Sequence, residues 1–236
     1  MTSSHRIQRR GFDTFFGYYL ACQVDYWYHG AGAQACGFNG PGDPITDLSN
    51  STAHPDVIAG ARGLNGTYNR DLFANEAERL IVLHGAELAS GVLPAGTPLY
   101  MYLAFQNVHS ASTLPELTNQ APKGTVDKYA TTVNDTWKVA GGMITELDAG
   151  VAVVLEALDT AGMLDNSVLA FCSDNGGPLD HATNAPLRGG KHTTWEGGLR
   201  VTAWVYSPLF PPASRGMVWN GMMYVRGAFF GVCLEV

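Results

Sequence analysis

Charge is scarce in this chain. Asp, Glu, Lys and Arg make up 15% of its 236 residues, where about 25% is usual. The basic side is the thinner, with 14 Lys and Arg against 21 acidic residues and a net charge of −7. Nucleic-acid binding needs clustered Lys and Arg. The one basic cluster, HRIQRR at 5–10, is short, terminal and reads as a solvated segment, so nucleic acid is excluded as a partner. No apolar stretch reaches the roughly 18–20 residues that span a bilayer, so no transmembrane segment is expected. The opening residues MTSSHRIQRRG lack the apolar core of a signal peptide.

Cysteine is scarce too. Cys22, Cys36, Cys172 and Cys233 form no C-x-x-C pair, which argues against a zinc ribbon or a thioredoxin-type site. Cys22 and Cys36 flank a Gly-rich loop and are placed for a bridge in an oxidising compartment. Cys172, inside an apolar run, is expected as a buried free thiol. Three glycosylation sequons begin at Asn50, Asn65 and Asn134 and point to a secretory protein, at odds with the opening residues.

What is present is a helix–strand alternation without internal repeats or a clear domain boundary. Residues 30–67 are rich in Gly, Pro, Asn, Ser and Asp and read as a long surface loop. Leu72, Phe73, Ala77, Leu80, Ile81 and His84 recur at helical spacing. Leu99 to Phe105 is a continuous apolar run, expected as a strand buried on both faces. From Trp137 to Ala161, Val139, Met143, Leu147, Val151, Val154, Leu155 and Leu158 form one helical stripe, with Gly162 as the stop. NSVLAFCS at 166–173 and LRVTAWVY at 199–206 read as two more strands. The expectation is an α/β domain with a mostly parallel central sheet flanked by helices.

Polar side chains gather at the ends of the first two strands: Gln106, Asn107 and His109 after one, Asp174 and Asn175 after the other. Ligands of open parallel sheets bind outside the carboxyl ends of the strands. If these strands are parallel neighbours, His109 and Asp174-Asn175 share one crevice. A carboxylate beside an amide carbonyl suits a hard cation such as Ca²⁺ or Mg²⁺ rather than zinc. The competing reading of CSDNGG is a tight hairpin, because Asn-Gly favours one. The residues after it, PLDHATNAPLRGG, show no alternation for a returning strand. Arg188, Lys191 and His192 lie in the Gly-rich stretch 186–198, whose fixed cations suit sulfate or phosphate. The bland alternative there is a flexible surface loop.

RRGFDTFFGYYL at 9–20, YLAFQNVH at 102–109, SDNGGP at 173–178 and PLRGGKHTTWEGGLR at 186–200 stand in this order in the chain. In that order they resemble arylsulfatases of the B type and their close relatives, a type I sulfatase family. KYATTVNDTWKVAGGMITELD resembles the family helix ahead of the Asp-Asn strand. The resemblance covers about residues 9–210, leaving 211–236 as a divergent tail. It implies an alkaline-phosphatase-like α/β fold, and hydrolysis of sulfate esters, sulfated glycans among them, at one Ca²⁺ ion by a formylglycine nucleophile. It also implies Asp174 and Asn175 as Ca²⁺ ligands, His109 beside the sulfate and its leaving oxygen, and Lys191 on the sulfate. Arg188, His192, Trp195 and Glu196 belong to the motif without direct chemistry. A lysosomal or secreted location is implied for the intact protein.

The family's Cys-x-Pro-x-Arg motif, which yields the formylglycine, follows none of the four cysteines. The family's N-terminal Asp pair and Gly-Lys-x-His segment are absent, and Tyr224 stands where its later histidine is expected. The expectation is the central part of a longer sulfatase catalytic domain spanning 1–236, truncated at both ends. Such a piece lacks the nucleophile and about half the Ca²⁺ ligands, is inactive alone and exposes apolar sheet faces. Two rivals fit the same residues. One is a non-catalytic sulfatase-like protein that binds sulfated glycans or a partner. The other is a related phosphoester or phosphonate hydrolase, which the PLRGGK-to-WEGG pattern opposes.

Overall fold

A computed structural model describes residues 11–18, 25–27, 29–31, 45–46, 48–50, 59–60, 64, 66–111, 120–132, 134–179 and 182–222. The basic cluster at 5–10, Cys22, Cys36, Asn65, Tyr224 and Cys233 lie outside them. The chain divides into two compact units, one built on residues 1–161 and the other on 162–179 and 183–236.

The first unit is organised on two long helices, α1 (Asn69–Ser90) and α3 (Asp135–Thr160). On α1 the buried positions are Asn69, Leu72, Phe73, Ala74, Ala77 and Ile81, one face at the expected spacing. On α3 the buried face runs through Gly142, Met143, Glu146, Gly150, Ala157 and Leu158. Small residues let neighbours come close: a Cβ on Gly150 would sit 2.9 Å from the Phe105 ring. Asn134 caps α3 by accepting the Thr136 N–H at 2.8 Å. Past the helix end, Gly162 takes φ +67°, the left-handed turn that ends many helices. A short helix, α2 (Lys123–Val126), packs beside α3.

Within 30–67 the described residues carry short strands, so this stretch is more than a surface loop. β1 (Phe16–Tyr18), β4 (Leu48–Asn50) and β5 (Ala59–Gly60) make an antiparallel sheet in the order β1-β4-β5, with Gly17 opposite Ser49 and Asn50 opposite Ala59. β2 (Gly30–Ala31) pairs with β3 (Ile45–Thr46). The core has two parts. Leu48, Leu72 and Phe73 gather Phe16, Tyr18, Leu64, Leu103 and Phe105. Tyr26, Tyr68, Ala111 and Met143 gather Trp27, Ala121 and Val139.

Three further expectations are corrected. The run 99–105 joins no strand ladder among the described residues, and its exposure alternates along the chain. Tyr100 and Tyr102 are exposed, while Leu103 and Phe105 pack on the Phe73 cluster. Continuous apolarity alone does not distinguish one buried face from two. No parallel sheet occurs among the described residues either. In the second unit β6 (Leu169–Cys172) pairs antiparallel with β7 (Ala203–Tyr206), Phe171 opposite Trp204. All four β7 side chains are exposed, so apolar sheet surface is on show here. Cys172 is exposed rather than buried, because alternation along β6 sends it and Ala170 to the open face. No described helix is long and apolar enough to cross a membrane.

Charge is buried where it is paired. The carboxylate of Glu146 accepts from Arg70 Nε at 3.0 Å and from the Arg70 Nη2 and Thr125 hydroxyl groups. Glu146→Ala is therefore expected to lower the unfolding free energy by about 2 kcal/mol, since it removes one of the two carboxylates paired with Arg70, Asp71 being the other, and takes the acceptor from the Thr125 hydroxyl. Lys123→Ala, which removes an exposed pair with Asp127, should change it by no more than about 0.5 kcal/mol. Urea midpoints compare the two.

His29 is fully buried, with the Tyr18 hydroxyl 2.8 Å from Nδ1 and the Leu64 carbonyl 3.3 Å from Nε2. Both contacts suit the neutral ring, and burial holds its pKa below the ordinary 6.5. The unfolded chain then takes up a proton near that pH which the folded chain refuses, so acid favours unfolding. His29 withdraws no stability above about pH 7 and progressively more as pH falls through its unfolded value. Unfolding midpoints measured between about pH 7 and about pH 5.5 should fall, and fall less steeply in His29→Asn.

Candidate active site

Two motifs that are separate in the chain, SDNGGP and RGGKHTTWEGG, fold in the second unit into one knot of backbone on backbone. Gly176 N–H donates to Gly198 O at 3.0 Å, Lys191 N–H to Gly177 O at 3.1 Å, and Gly197 N–H to Arg188 O at 2.7 Å. Asn184 ties the strands of the knot together. Its Oδ1 accepts from Gly177 N–H at 2.9 Å, and its Nδ2 donates to Gly177 O at 2.8 Å and Gly189 O at 3.2 Å. Thr193 closes the Lys191 turn, accepting from Gly190 N–H at 3.1 Å and donating to Gly190 O at 2.7 Å. The glycines are needed for this closeness. A Cβ on Gly176 would overlap the Gly197 carbonyl, and one on Gly197 would overlap the Gly189 carbonyl.

The knot decides where the polar side chains stand. Asp174 is exposed and Asn175 half-buried. The Asn175 amide nitrogen donates to Gly176 O at 3.0 Å, leaving Oδ1 as its ligating atom. Lys191 is half-buried, and among the described residues its ammonium makes no hydrogen bond or ion pair. The next residue, His192, is exposed at φ +69°, a conformation uncommon outside glycine. Arg188 is engaged otherwise: its guanidinium lies 3.7 Å above the centre of the Trp195 ring. Glu196 faces Arg200 at 3.4 Å.

His109 lies in the first unit, at the end of a turn whose own N–H bonds back to Gln106 O at 2.9 Å. Its ring is exposed, with Nδ1 2.8 Å from Ser110 O. A carbonyl there requires N–H at Nδ1 and leaves Nε2 as the outward base. Gln106 and Asn107 of the same motif are bound into the interior. Asn69 Nδ2 donates to Gln106 Oε1 at 2.5 Å, and Asn107 Nδ2 to Tyr68 Oη at 3.1 Å and Met143 O at 3.0 Å. The second unit thus brings Asp174, Asn175 and Lys191 onto one scaffold, while His109 is held by the other unit.

Asp174 and Asn175 together offer hard oxygen donors, the chemistry Ca²⁺ takes in sets of about 6–8. Among the described residues no three His, Cys, Asp or Glu side chains gather at one point. The pair fits part of a Ca²⁺ shell, with the rest to be supplied by other groups. Sequence reasoning missed Asn184 and Thr193, which carry no chemistry of their own. The one available signal was the number of glycines in 176–198, more than a single turn needs.

The sulfatase family, so described, matches residues 4–215. The chain belongs to the sulfatase family. This sulfatase chain is 32% identical to arylsulfatase J of Mus musculus over 219 residues, covering 92% of the chain and 31% of that protein. It therefore spans about a third of that relative's length. Steryl-sulfatase of Rattus norvegicus is 31% identical over 122 residues, 48% of the chain and 19% of that protein. Among solved structures, that of Ps i-CgsB in complex with k-i-k-neocarrahexaose superposes with a TM-score of 0.65 at 26% identity, covering 89% of this chain and 42% of that one.

The knot yields a direct test. Gly176→Ala should cost roughly 3 kcal/mol, because its Cβ meets backbone that cannot turn aside. An unfolding midpoint equal to that of the unaltered chain would contradict the packing.

Proposed function

We propose that this sulfatase chain serves a sulfuric ester hydrolase of the arylsulfatase type, dependent on Ca²⁺. The observation that carries the reading is the shared backbone scaffold that bears Asp174, Asn175 and Lys191, whose ammonium has no partner among the described residues, inside a family match over residues 4–215. Asp174 and Asn175 would hold the ion through their side-chain oxygens. When bound, Ca²⁺ would draw charge from the sulfate oxygens. Lys191 would offset the remaining negative charge, reaching out from a backbone position that the bond from its own N–H to Gly177 holds in place. His109 would exchange the leaving-group proton at Nε2, since Nδ1 is committed to Ser110.

The likeness to a structure solved with k-i-k-neocarrahexaose supports a glycan-borne sulfate ester as the substrate class. The intact enzyme would work in a lysosomal or secreted setting, where the sequons at Asn50, Asn65 and Asn134 can be used. The formylglycine nucleophile would come from a Cys-x-Pro-x-Arg motif that these 236 residues do not contain. On this reading the 236 residues alone would not hydrolyse sulfate esters.

The test is aryl sulfate hydrolysis by an intact enzyme that joins these residues to the nucleophile segment. Lys191→Ala and His109→Ala should each lower kcat/KM by about 100-fold or more, and Asp174→Ala should remove its response to added Ca²⁺. Sulfated oligosaccharide binding without hydrolysis by that intact protein would favour the non-catalytic reading instead. Hydrolysis by the 236-residue chain alone would overturn the assignment of the nucleophile.

A further inference from the structure

We infer that Tyr26 is a positioning residue for His109, holding the 106–109 turn so that the imidazole presents Nε2 outward. The inference rests on the role proposed for His109. The Tyr26 hydroxyl lies 2.7 Å from His109 O and 3.0 Å from Gln106 O, the carbonyls of the two residues that bound the turn. One phenol proton is thereby shared between both ends of one loop. The Gln106 carbonyl also takes the His109 N–H, so the three groups form a closed set.

The ring that carries this hydroxyl has no freedom to drift. Tyr26 is fully buried, and its ring stacks on Tyr68 with centroids 5.3 Å apart at 22°. Its backbone N–H donates to Gln120 Oε1 at 2.7 Å, and Gln120 in turn donates to Asp25 Oδ2 at 2.8 Å. Burial drives the Tyr26 hydroxyl far above the ordinary phenol range, so it stays a proton donor at every working pH. Fixing the His109 carbonyl fixes the plane of the 109–110 peptide. Only the two backbone dihedrals of Ser110 lie between that plane and the Ser110 carbonyl, so holding the plane narrows where the carbonyl can stand, and this carbonyl is the partner of Nδ1. A purely structural tyrosine would contribute stability without setting that tautomer.

The experiment is nitrogen-resolved NMR of the His109 ring in the 236-residue chain, with the signal identified by its loss in His109→Gln. Unaltered chain should show the Nδ1–H tautomer alone, with a Tyr26 hydroxyl proton protected from exchange. Tyr26→Phe should give a mixture of tautomers. Tyr18→Phe, which removes a hydroxyl contact to His29 elsewhere in the same unit, should leave the ring signal unchanged. Retention of the single tautomer in Tyr26→Phe would overturn the inference, as would equal effects of the two variants. Should Tyr26→Phe not fold, the unaltered chain decides. Mixed tautomers or a hydroxyl proton exchanging at the solvent rate overturn the inference, and a single tautomer with a protected proton supports it. In the intact enzyme Tyr26→Phe should lower kcat about 10-fold at unchanged KM. An intact enzyme inactive on every sulfate ester would sink the functional reading and leave the NMR result standing.

Discussion

Nothing larger than hydrogen fits on residue 176 where it meets the carbonyl of Gly197. That contact joins the end of β6 to a segment some twenty residues further on, and the arrangement of the second unit's polar groups follows from it. With Gly176 bonded to Gly198 and Lys191 bonded to Gly177, the acidic end and the basic end of the region are held on one frame. Side chains in an irregular loop ordinarily lose much of their conformational freedom on binding. Here the backbone has already given up that freedom during folding, and Asn184 and Thr193 complete the ties.

The first unit uses a different device for the same end. Its motif residue His109 stands in a turn anchored by buried side-chain hydrogen bonds, from Tyr26, Asn69 and Asn107. Their partners outside the turn are the Asn69 amide on α1, the Met143 carbonyl on α3 and the Tyr26 hydroxyl, so a few long-range bonds replace a strand ladder. Burial raises the Tyr68 hydroxyl above its usual range as well, which keeps that network neutral. A side chain on a turn is placed precisely only when what surrounds it is rigid.

Much of the helical framework was legible in the sequence. The α1 residues Leu72, Phe73, Ala77 and Ile81 are buried as their spacing implies, and Gly162 ends α3 as expected. On α3 the expected aliphatic stripe overlaps the true one at Met143 and Leu158. Its buried face also takes in Gly142, Glu146 and Gly150, residues that no apolar pattern selects. The position of Glu146 depends on Arg70 and Thr125, far away in the chain. Strand pairing was the least legible part. Apolar runs indicated β6 and β7 but not their antiparallel partnership, because direction is a property of the return path. For CSDNGG the rejection of a tight hairpin stands, since the partner strand begins only at Ala203. Side-chain chemistry marked Asp174, Asn175 and Lys191 in the second unit and His109 in the first as candidates. The groups that hold them, Asn184 and Tyr26, have no chemistry to mark them and emerge only from geometry.

The central claim is that the glycine-rich motifs form one preformed frame rather than a mobile loop. Amide hydrogen exchange at single-residue resolution tests it most directly. The account predicts that Gly176, Gly177, Lys191 and Gly197, which lie outside every strand and helix ladder apart from the single turn at Glu196–Leu199, exchange as slowly as the β6 amides. Exchange at the rate of an open loop at these four positions would contradict it.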